Sequence, residues 1–526
     1  MRGIDNEAVV PLDLKERIVV DRKLPKPSET WPFPFPGSGR DAISALLSLP
    51  PADIFREYDL RGLADAPLDF DATRLNPFVC NRLGRAFGTY LSELDVDEVI
   101  VGYDSRAYAP MFADAFTTGL LSTGACVISI GLATTPLVYF AQHELSVAGA
   151  VAVTASHNPN GWSGLKLSSA PSTTLAEQEI AHFKEVAERD SFRRGVGTLV
   201  EHSVTERYIA FLADRRPASK RIRVAVDGAN SISGAIGCSV FERAGYEVIP
   251  VNRELDWSFP NHEPDPELVE SRLQLAEAVL KSGAMMGVAL DGDGDRLGIT
   301  DHLGATVWSD RVLALLAIDV LERYPGSDIV YDAKCSRLVE DVIEASGGNP
   351  VMWKTGHSLI KNKMQQLGAP FAGERSGHFF NAVDYFGFDD GIYAALSLAD
   401  LVGRRQMTVA DLVSQLPHYF SSPTMQAHCA DGVKYDVVER AAAVAIETLH
   451  PQKVIRVSGA RLEFEDGWLL FRASSNVPAL VIVCEAVTES RLRELYVATR
   501  GVLNQFDEIG KTWTNDPFYT SDNAPR

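Results

Sequence analysis

The chain has 526 residues, 46% of them apolar and 23% charged, and a formal net charge of −20. That length exceeds what a single hydrophobic core organises, so several domains are expected, and the ordinary composition excludes a disordered, fibrous or collagen-like chain. The acidic balance argues against nucleic acid and anionic membrane surfaces as partners, while a local basic pocket for an anionic substrate stays compatible with it.

In chain order, residues 1–50 show no periodicity and are rich in proline and glycine between Pro25 and Gly39. They read as an extended arm, with Trp31, Phe33 and Phe35 as its apolar anchors. The N-terminus carries Asp5, Glu7, Asp13 and Glu16 where a signal peptide would be apolar. An alternating pattern then begins: a strand at 99–102, a helix at 111–121, and strands at 125–130 and 148–153. The pattern restarts with strands at 222–226, 246–251 and 285–290 and a helix from Glu267 to Lys281. A third round has helices at 310–321, 357–367 and 391–401 and strands at 329–331 and 351–354. The last stretch differs: a helix at 435–449, strands near 454–457, 468–471 and 480–483, and a helix at 489–502. The expected domains are 51–203, 204–305, 306–420 and 421–526. The class is α/β, with three related mixed-sheet domains and a smaller C-terminal α+β domain. No apolar run reaches the ~18 residues of a membrane span. The six cysteines, Cys80, Cys126, Cys238, Cys335, Cys429 and Cys484, form no C-x-x-C pair. Reduced thiols in a cytoplasmic protein are therefore expected.

Four loops gather chemistry. Thr154-Ala155-Ser156-His157-Asn158-Pro159 follows an apolar strand, and a serine there suits a nucleophile or phosphate carrier. Lys166 downstream suits charge neutralisation or proton exchange. Asp291-Gly292-Asp293-Gly294-Asp295-Arg296 sets three carboxylates at alternate positions, which suits Mg²⁺ or Ca²⁺. It is not an EF-hand loop, because Arg296 stands where that loop needs glycine and His302 where it needs glutamate. Gly373-Glu374-Arg375-Ser376-Gly377-His378 offers acceptors and donors suited to a polyol. Arg472-Ala473-Ser474-Ser475-Asn476 suits a phosphate cradle. Further basic groups lie in Phe55–Gly62 and in Lys354-Thr355-Gly356-His357-Ser358.

In this order the four loops resemble the α-D-phosphohexomutase superfamily, most closely its bacterial bifunctional phosphomannomutase/phosphoglucomutase branch. The resemblance runs from about Ile54 to Tyr496. Supporting runs are F-R-E-Y-D-L-R-G, F-P-N-H-E-P-D-P (Phe259–Pro266), D-A-K-C-S-R (Asp332–Arg337), W-K-T-G-H-S-L-I-K and F-G-F-D-D-G-I-Y (Phe386–Tyr393). The fourth loop departs from the branch pattern S-N-T-T-P, reading Ser474-Ser475-Asn476-Val477-Pro478, and Ser163-Gly164 stands where Asn-Gly is usual.

The resemblance implies four domains around a central cleft and a reaction that interconverts hexose 1-phosphates and hexose 6-phosphates of mannose, glucose or both. It implies that Ser156 is a phosphoserine, and that Asp291, Asp293 and Asp295 hold Mg²⁺ with the Ser156 phosphate as a further ligand. Lys166, Arg296, Tyr58, Arg61 and His157 would surround the reacting phosphoryl group. Glu374, Ser376 and His378 would grip sugar hydroxyls, Lys334 and His357 would orient the substrate, and Arg472, Ser474, Ser475 and Asn476 would hold the other phosphate. Lys166 and His357 are the candidate bases. Glucose 1,6-bisphosphate or mannose 1,6-bisphosphate is the implied activator and intermediate, and a monomer or homodimer the implied assembly. A phosphoglucosamine mutase and a serine-dependent sugar phosphatase are the alternative readings. An ATP-using transferase is disfavoured, since no P-loop motif is present.

Overall fold

A computed structural model describes residues 49–64, 74–189 and 191–518. The N-terminal arm, with Trp31, Phe33 and Phe35, lies outside the described residues. The chain divides into two compact units. The first runs to Val307 and includes Gly377–Phe379 and Asp384–Val409; the second holds Trp308–Ser376, Phe380–Val383 and the chain from Ala410 onward.

The first unit contains two sheets. Its first elements are β1 (Leu60–Leu63), α1 (Pro77–Ser92), β2 (Glu98–Tyr103), α2 (Ala109–Leu121), β3 (Cys126–Leu132) and α3 (Thr135–Leu145). They are followed by β4 (Gly149–Val153), β5 (Trp162–Ala170), β6 (Thr173–Thr174), α4 (Gln178–Glu188) and β7 (Thr198–Glu201). The strand order is β1-β5-β4-β2-β3-β7, with β6 on β5. β4, β2, β3 and β7 are parallel, while β5 runs antiparallel to β4 and to β1. β4 reads Gly-Ala-Val-Ala-Val and is buried along its whole length, as a parallel strand covered on both faces requires. Thr134 opens α3 by accepting a hydrogen bond from Leu137 N.

The second sheet follows α5 (Thr205–Arg215). Its elements are β8 (Arg223–Asp227), α6 (Ile232–Ala244), β9 (Glu247–Val251), α7 (Leu273–Ser282), β10 (Met286–Leu290), β11 (Leu297–Asp301) and β12 (Thr306–Val307), in the order β12-β11-β10-β8-β9. β10 is fully buried and pairs parallel with β8 and antiparallel with β11. The expected helix from Glu267 is corrected here: a short 3₁₀ turn spans Glu270–Arg272 and α7 starts only at Leu273. Asp265 closes a local turn instead, its carboxylate accepting from Glu267 N at 3.0 Å and its carbonyl from Leu268 N at 3.3 Å, which takes these residues out of the helix.

The second unit opens with α8 (Ser309–Arg323), β13 (Asp328–Asp332), α9 (Arg337–Ala345), β14 (Asn349–Trp353), α10 (His357–Leu367), β15 (Phe371–Gly373) and β16 (Phe379–Asn381). The sheet order is β14-β13-β15-β16. α11 (Gly391–Arg405) belongs to the first unit and rests on α6, β10 and β11. After α12 (Val409–Val413), β17 (Phe420–Ser421) and β18 (Met425–His428) come α13 (Lys434–Leu449), β19 (Lys453–Ile455), β20 (Ala460–Phe464), β21 (Gly467–Ala473), β22 (Ala479–Ala486), α14 (Glu489–Leu503) and β23 (Trp513–Thr514). This last sheet is antiparallel, in the order β19-β20-β21-β22-β18-β23 with β17 on β22. α13 and α14 cover it, and Val437, Ala441, Leu469, Phe471, Ile482 and Leu495 share its core. The fold class is thus α/β: three mixed-sheet layers followed by an antiparallel α+β domain. All six cysteines are free, and five are buried. Among the described residues no helix is long and apolar enough to cross a membrane.

Candidate active site

β4 ends at Val153, and its antiparallel pairing with β5 sets Val153 opposite Leu165 and Ala152 opposite Lys166. The loop between them is residues 154–161. Ser156 sits in it with φ 52°, in the left-handed region that a serine rarely adopts. Its hydroxyl donates to Asp291 Oδ2 at 2.7 Å and lies 3.2 Å from His157 Nδ1.

The facing loop is tighter still. β10 and β11 pair Leu290 with Leu297, so residues 291–296 form the whole connection. All three carboxylates are completely buried. Gly292 passes so close to Ser156 that a Cβ there would lie 2.6 Å from the Ser156 carbonyl oxygen. Lys166, carried on β5, donates through Nζ to Asp293 Oδ2 at 2.8 Å and to Asp295 Oδ2. Thr135, at the start of α3, donates its hydroxyl to Asp293 Oδ2 at 2.6 Å. Asp291 Oδ1 accepts from Arg296 N at 3.1 Å. The short segment 377–379 bridges to this hairpin, with Leu297 N donating to Gly377 O and Arg296 paired with His378. His378 Nε2 thereby lies 3.4 Å from both Asp295 Oδ1 and Arg296 Nε.

The electrostatics follow from that crowding. Burial pushes Asp291 well above the usual carboxylate range, and repulsion from Asp295 and Asp293 adds to it. Burial acts in the same sense on Asp295, but Lys166 and His378 overcome it and hold that carboxyl well below its ordinary value. Lys166 is the converse case: burial would discharge it, yet Asp293 and Asp295 raise its pKa well above that of a free lysine. His157 is driven well below the usual imidazole range by burial and then by Arg296 and Arg61, so it is neutral at pH 7.

One oxygen from each of Asp291, Asp293 and Asp295 lies within 4.8 Å of the others. Asp293 Oδ1 has no hydrogen-bond partner, and Asp295 Oδ1 has only the 3.4 Å approach of His378. Buried carboxylate oxygens without donors, converging beside a hydroxyl, fit a hard divalent cation held by oxygen ligands.

The remaining first-unit residues surround the serine loop. Arg61 is buried on β1, bonded to Asp59 at 2.7 Å, and reaches Asn158 Oδ1 at 2.7 Å and Ala155 O at 3.3 Å. Tyr58 is buried nearby.

In the second unit the expected residues form two groups. In one, Glu374 accepts from Gly356 N at 2.6 Å, directly before His357 at the start of α10, while Lys334 Nζ lies 3.7 Å from Asp332. Asp332 also accepts from Thr355 Oγ1 and Arg375 N, tying the loops that carry Lys334, His357 and Ser376 to one carboxylate. In the other, Arg472 lies on β21 itself, since that strand continues to Ala473 rather than ending at Phe471. Its Nη2 donates to Ser475 Oγ at 2.9 Å, and Ser474 Oγ accepts from the backbone of Asn476 and Val477. Asn476 Oδ1 is buried without a hydrogen-bond partner.

Sequence reasoning assigned no role to Thr135, Lys434 or the pair Asp104–Arg106, and none to Asp332 although it opens the quoted run D-A-K-C-S-R. Lys434 is buried at the start of α13 and donates to Ser474 O at 2.6 Å, directly beneath the fourth loop. A readable signal existed for Asp104-Ser105-Arg106 and for Asp332-Ala333-Lys334, charged runs at the carboxyl ends of apolar strands.

Comparison with known proteins agrees with this architecture. Family models for domains I, II and III of phosphoglucomutase/phosphomannomutase, each described as alpha/beta/alpha, match residues 52–194, 206–304 and 308–420. A phosphomannomutase/phosphoglucomutase of Pseudomonas syringae pv. tomato is 36% identical over 445 residues, covering 85% of this chain and 94% of that protein. A phosphoglucomutase of Neisseria gonorrhoeae is 34% identical, covering 86% of this chain and 96% of its own. A solved structure of a phosphoglucomutase/phosphomannomutase family protein from Burkholderia thailandensis superimposes with a TM-score of 0.78 at 31% identity, covering 86% of this chain and 97% of that one. With three consecutive family domains and a homologue alignable along almost its whole length, the chain belongs to the phosphoglucomutase/phosphomannomutase family.

Proposed function

We propose that this chain interconverts the 1-phosphates and 6-phosphates of mannose, glucose or both, with Ser156 as the phosphoryl carrier. The observation that carries this reading is the Ser156 hydroxyl, 2.7 Å from Asp291 Oδ2 within a fully buried carboxylate trio that Lys166 flanks. A serine set among acids is a poor nucleophile unless a cation balances them. Asp291, Asp293 and Asp295 would hold Mg²⁺, with an oxygen of the Ser156 phosphate as a further ligand. Bound there, the ion would neutralise charge on the phosphoryl group in transit.

The chain's own groups do the rest. The phosphorylated Ser156 faces a free sugar hydroxyl. The P–O bond to Ser156 breaks as the bond to the sugar oxygen forms, and the hydroxyl proton passes to a base. The base hands that proton on to the departing Ser156 oxygen, which again donates to Asp291. The resulting hexose 1,6-bisphosphate turns around, and its other phosphate returns to Ser156. Phosphoryl transfer of this kind needs positioning and charge neutralisation above all. Lys166, donating to Asp293 and Asp295, neutralises charge on the group in transit, and it and His357 are the candidate bases for the hydroxyl proton. Arg296, Arg61, Tyr58 and His157 complete the surround of the reacting group. His357 and Lys334 orient the sugar, and His378, against Asp295, binds a sugar hydroxyl. Glu374 and Ser376 bind hydroxyls, and Arg472, Ser474, Ser475 and Asn476 hold the phosphate that is not reacting.

The test is a coupled assay with glucose 1-phosphate and mannose 1-phosphate, Mg²⁺ and a bisphosphate primer. The wild type is expected to isomerise without net phosphate release and to gain one phosphoryl group at Ser156 by peptide mass. Ser156→Ala is expected to show no turnover; substantial mutase activity in that variant would refute the carrier role.

A further inference from the structure

We propose that Arg106 is the positioning residue that holds Ser156 in its phosphoryl-accepting geometry, an inference that rests on the carrier role given to Ser156 above. Arg106 is 3% exposed and follows β2 by three residues. Its Nη2 donates to Ser156 O at 2.7 Å and to Asn158 O at 2.6 Å. Its Nη1 donates to Pro159 O at 3.1 Å and to Trp162 O at 3.3 Å. Three carbonyls of the loop and that of Trp162 at the head of β5 thus take all four Nη protons. No terminal donor is left for substrate, so the side chain acts through the loop. A planar fork of fixed donors can span four carbonyls in this way; the point charge of a lysine cannot.

The guanidinium is itself braced. Asp104 pairs with it at 3.3 Å and accepts from Arg106 N at 3.0 Å, and the Phe259 ring lies 5.3 Å from it on another side. The same Asp104 takes the Thr154 hydroxyl at 2.6 Å, and Thr154 Oγ1 in turn accepts from Ser156 N at 2.8 Å. Ser156 is therefore gripped at both ends of its backbone, its N–H through Thr154 and its carbonyl by Arg106. Both grips trace back to one aspartate and arginine two residues apart. A left-handed serine persists only where its surroundings over-determine it. Its carbonyl is further enclosed by Gly292, the first glycine of the carboxylate loop. Freed to rotate, the Ser156 peptide would carry Oγ away from Asp291, and phosphoryl transfer is steeply sensitive to such displacement.

The experiment uses the full chain with Arg106→Lys and Thr154→Val, assayed well below each variant's measured melting temperature. Three readouts are taken: kcat and KM for hexose monophosphate, the rate at which Ser156 is phosphorylated by glucose 1,6-bisphosphate, and the ³¹P resonance of the phosphoserine. The expected result is that kcat and the phosphorylation rate fall together by about 10- to 100-fold. KM should move less than about threefold, and the phosphoserine resonance should shift or broaden. A purely structural role would lower the melting temperature but leave kcat and the resonance alone, and that result overturns the inference. A rise in KM at unchanged kcat overturns it as well. Should Arg106→Lys not fold, Thr154→Val decides by the same criteria, since it removes the N–H grip and leaves the guanidinium in place. Should the wild type itself take no phosphoryl group at Ser156, the carrier reading fails and this inference falls with it.

Discussion

Arg472 and Lys434 bracket the fourth loop from two elements, and only one of them is expected from the loop's own residues. Arg472 projects from β21 to Ser475, whereas Lys434 reaches the loop carbonyl of Ser474 from the first turn of α13. A buried cation at a helix N-terminus faces the positive end of the helix dipole, an arrangement that costs stability. Its counter-charge is Asp431 at 2.7 Å, which is about half exposed. Such a placement makes sense beneath an anion site. Arg472→Ala is expected to raise the KM for hexose monophosphate by about tenfold or more, the loss of one charge-assisted hydrogen bond, with a much smaller change in kcat. Steady-state kinetics check this, and an unchanged KM would remove the loop from phosphate binding.

At the scale of elements, α11 shows how a buried carboxylate makes a helix start depend on pH. Asp390 caps α11 by accepting from Tyr393 N at 2.9 Å, and its Oδ2 accepts from Tyr208 at 2.6 Å and Tyr385 at 2.5 Å. Burial raises its pKa from 3.8 to about 6, even though these donors pull it down. The folded state then holds a proton that the unfolded state has lost between those two values. The stabilisation is fully present below the unfolded pKa and disappears as pH rises through about 6. A gap of about two units corresponds to about 3 kcal/mol. Asp390→Asn keeps the cap and removes the titration. The melting-temperature advantage of wild type over this variant is expected to shrink from about pH 4 to about pH 7. A constant difference across that range would show that Asp390 does not titrate in this way.

At the scale of the whole molecule, a cation held by the carboxylate trio would link its binding to folding. Burial, and then repulsion from Asp295 and Asp293, raise the pKa of Asp291. A divalent cation that binds the folded chain alone must stabilise it by mass action, by about 2.7 kcal/mol at a hundredfold excess over its Kd. Mg²⁺ is therefore expected to raise the melting temperature of the wild type and leave that of Asp291→Asn nearly unmoved, while EDTA ends turnover. Calorimetry with and without Mg²⁺ checks the first expectation independently of activity. Equal shifts in both proteins would place the ion elsewhere.

Much of the candidate site was legible because its residues are close in sequence. Asp291, Asp293 and Asp295 lie within one six-residue hairpin, and Ser156 and His157 within one strand-to-strand loop, so local composition announces them. The alternation of buried strands such as β4 and β10 with helices declared the α/β class for the same reason: a strand covered on both faces must be apolar throughout. The start of α7 was misjudged because the helical pattern runs back to Glu267, whereas Asp265 accepts from Glu267 N and Leu268 N and holds that stretch in a local turn.

What the linear chain by itself determined is which short runs carry acids, hydroxyls and cations, since that chemistry depends on neighbours a few residues apart. Which distant groups grip those runs follows only from the folded arrangement. Thr135 reaches Asp293 across 158 positions and Arg106 reaches Ser156 across 50. Such contacts arise where strand register and helix placement bring remote backbone within hydrogen-bonding distance, and no local periodicity encodes that distance.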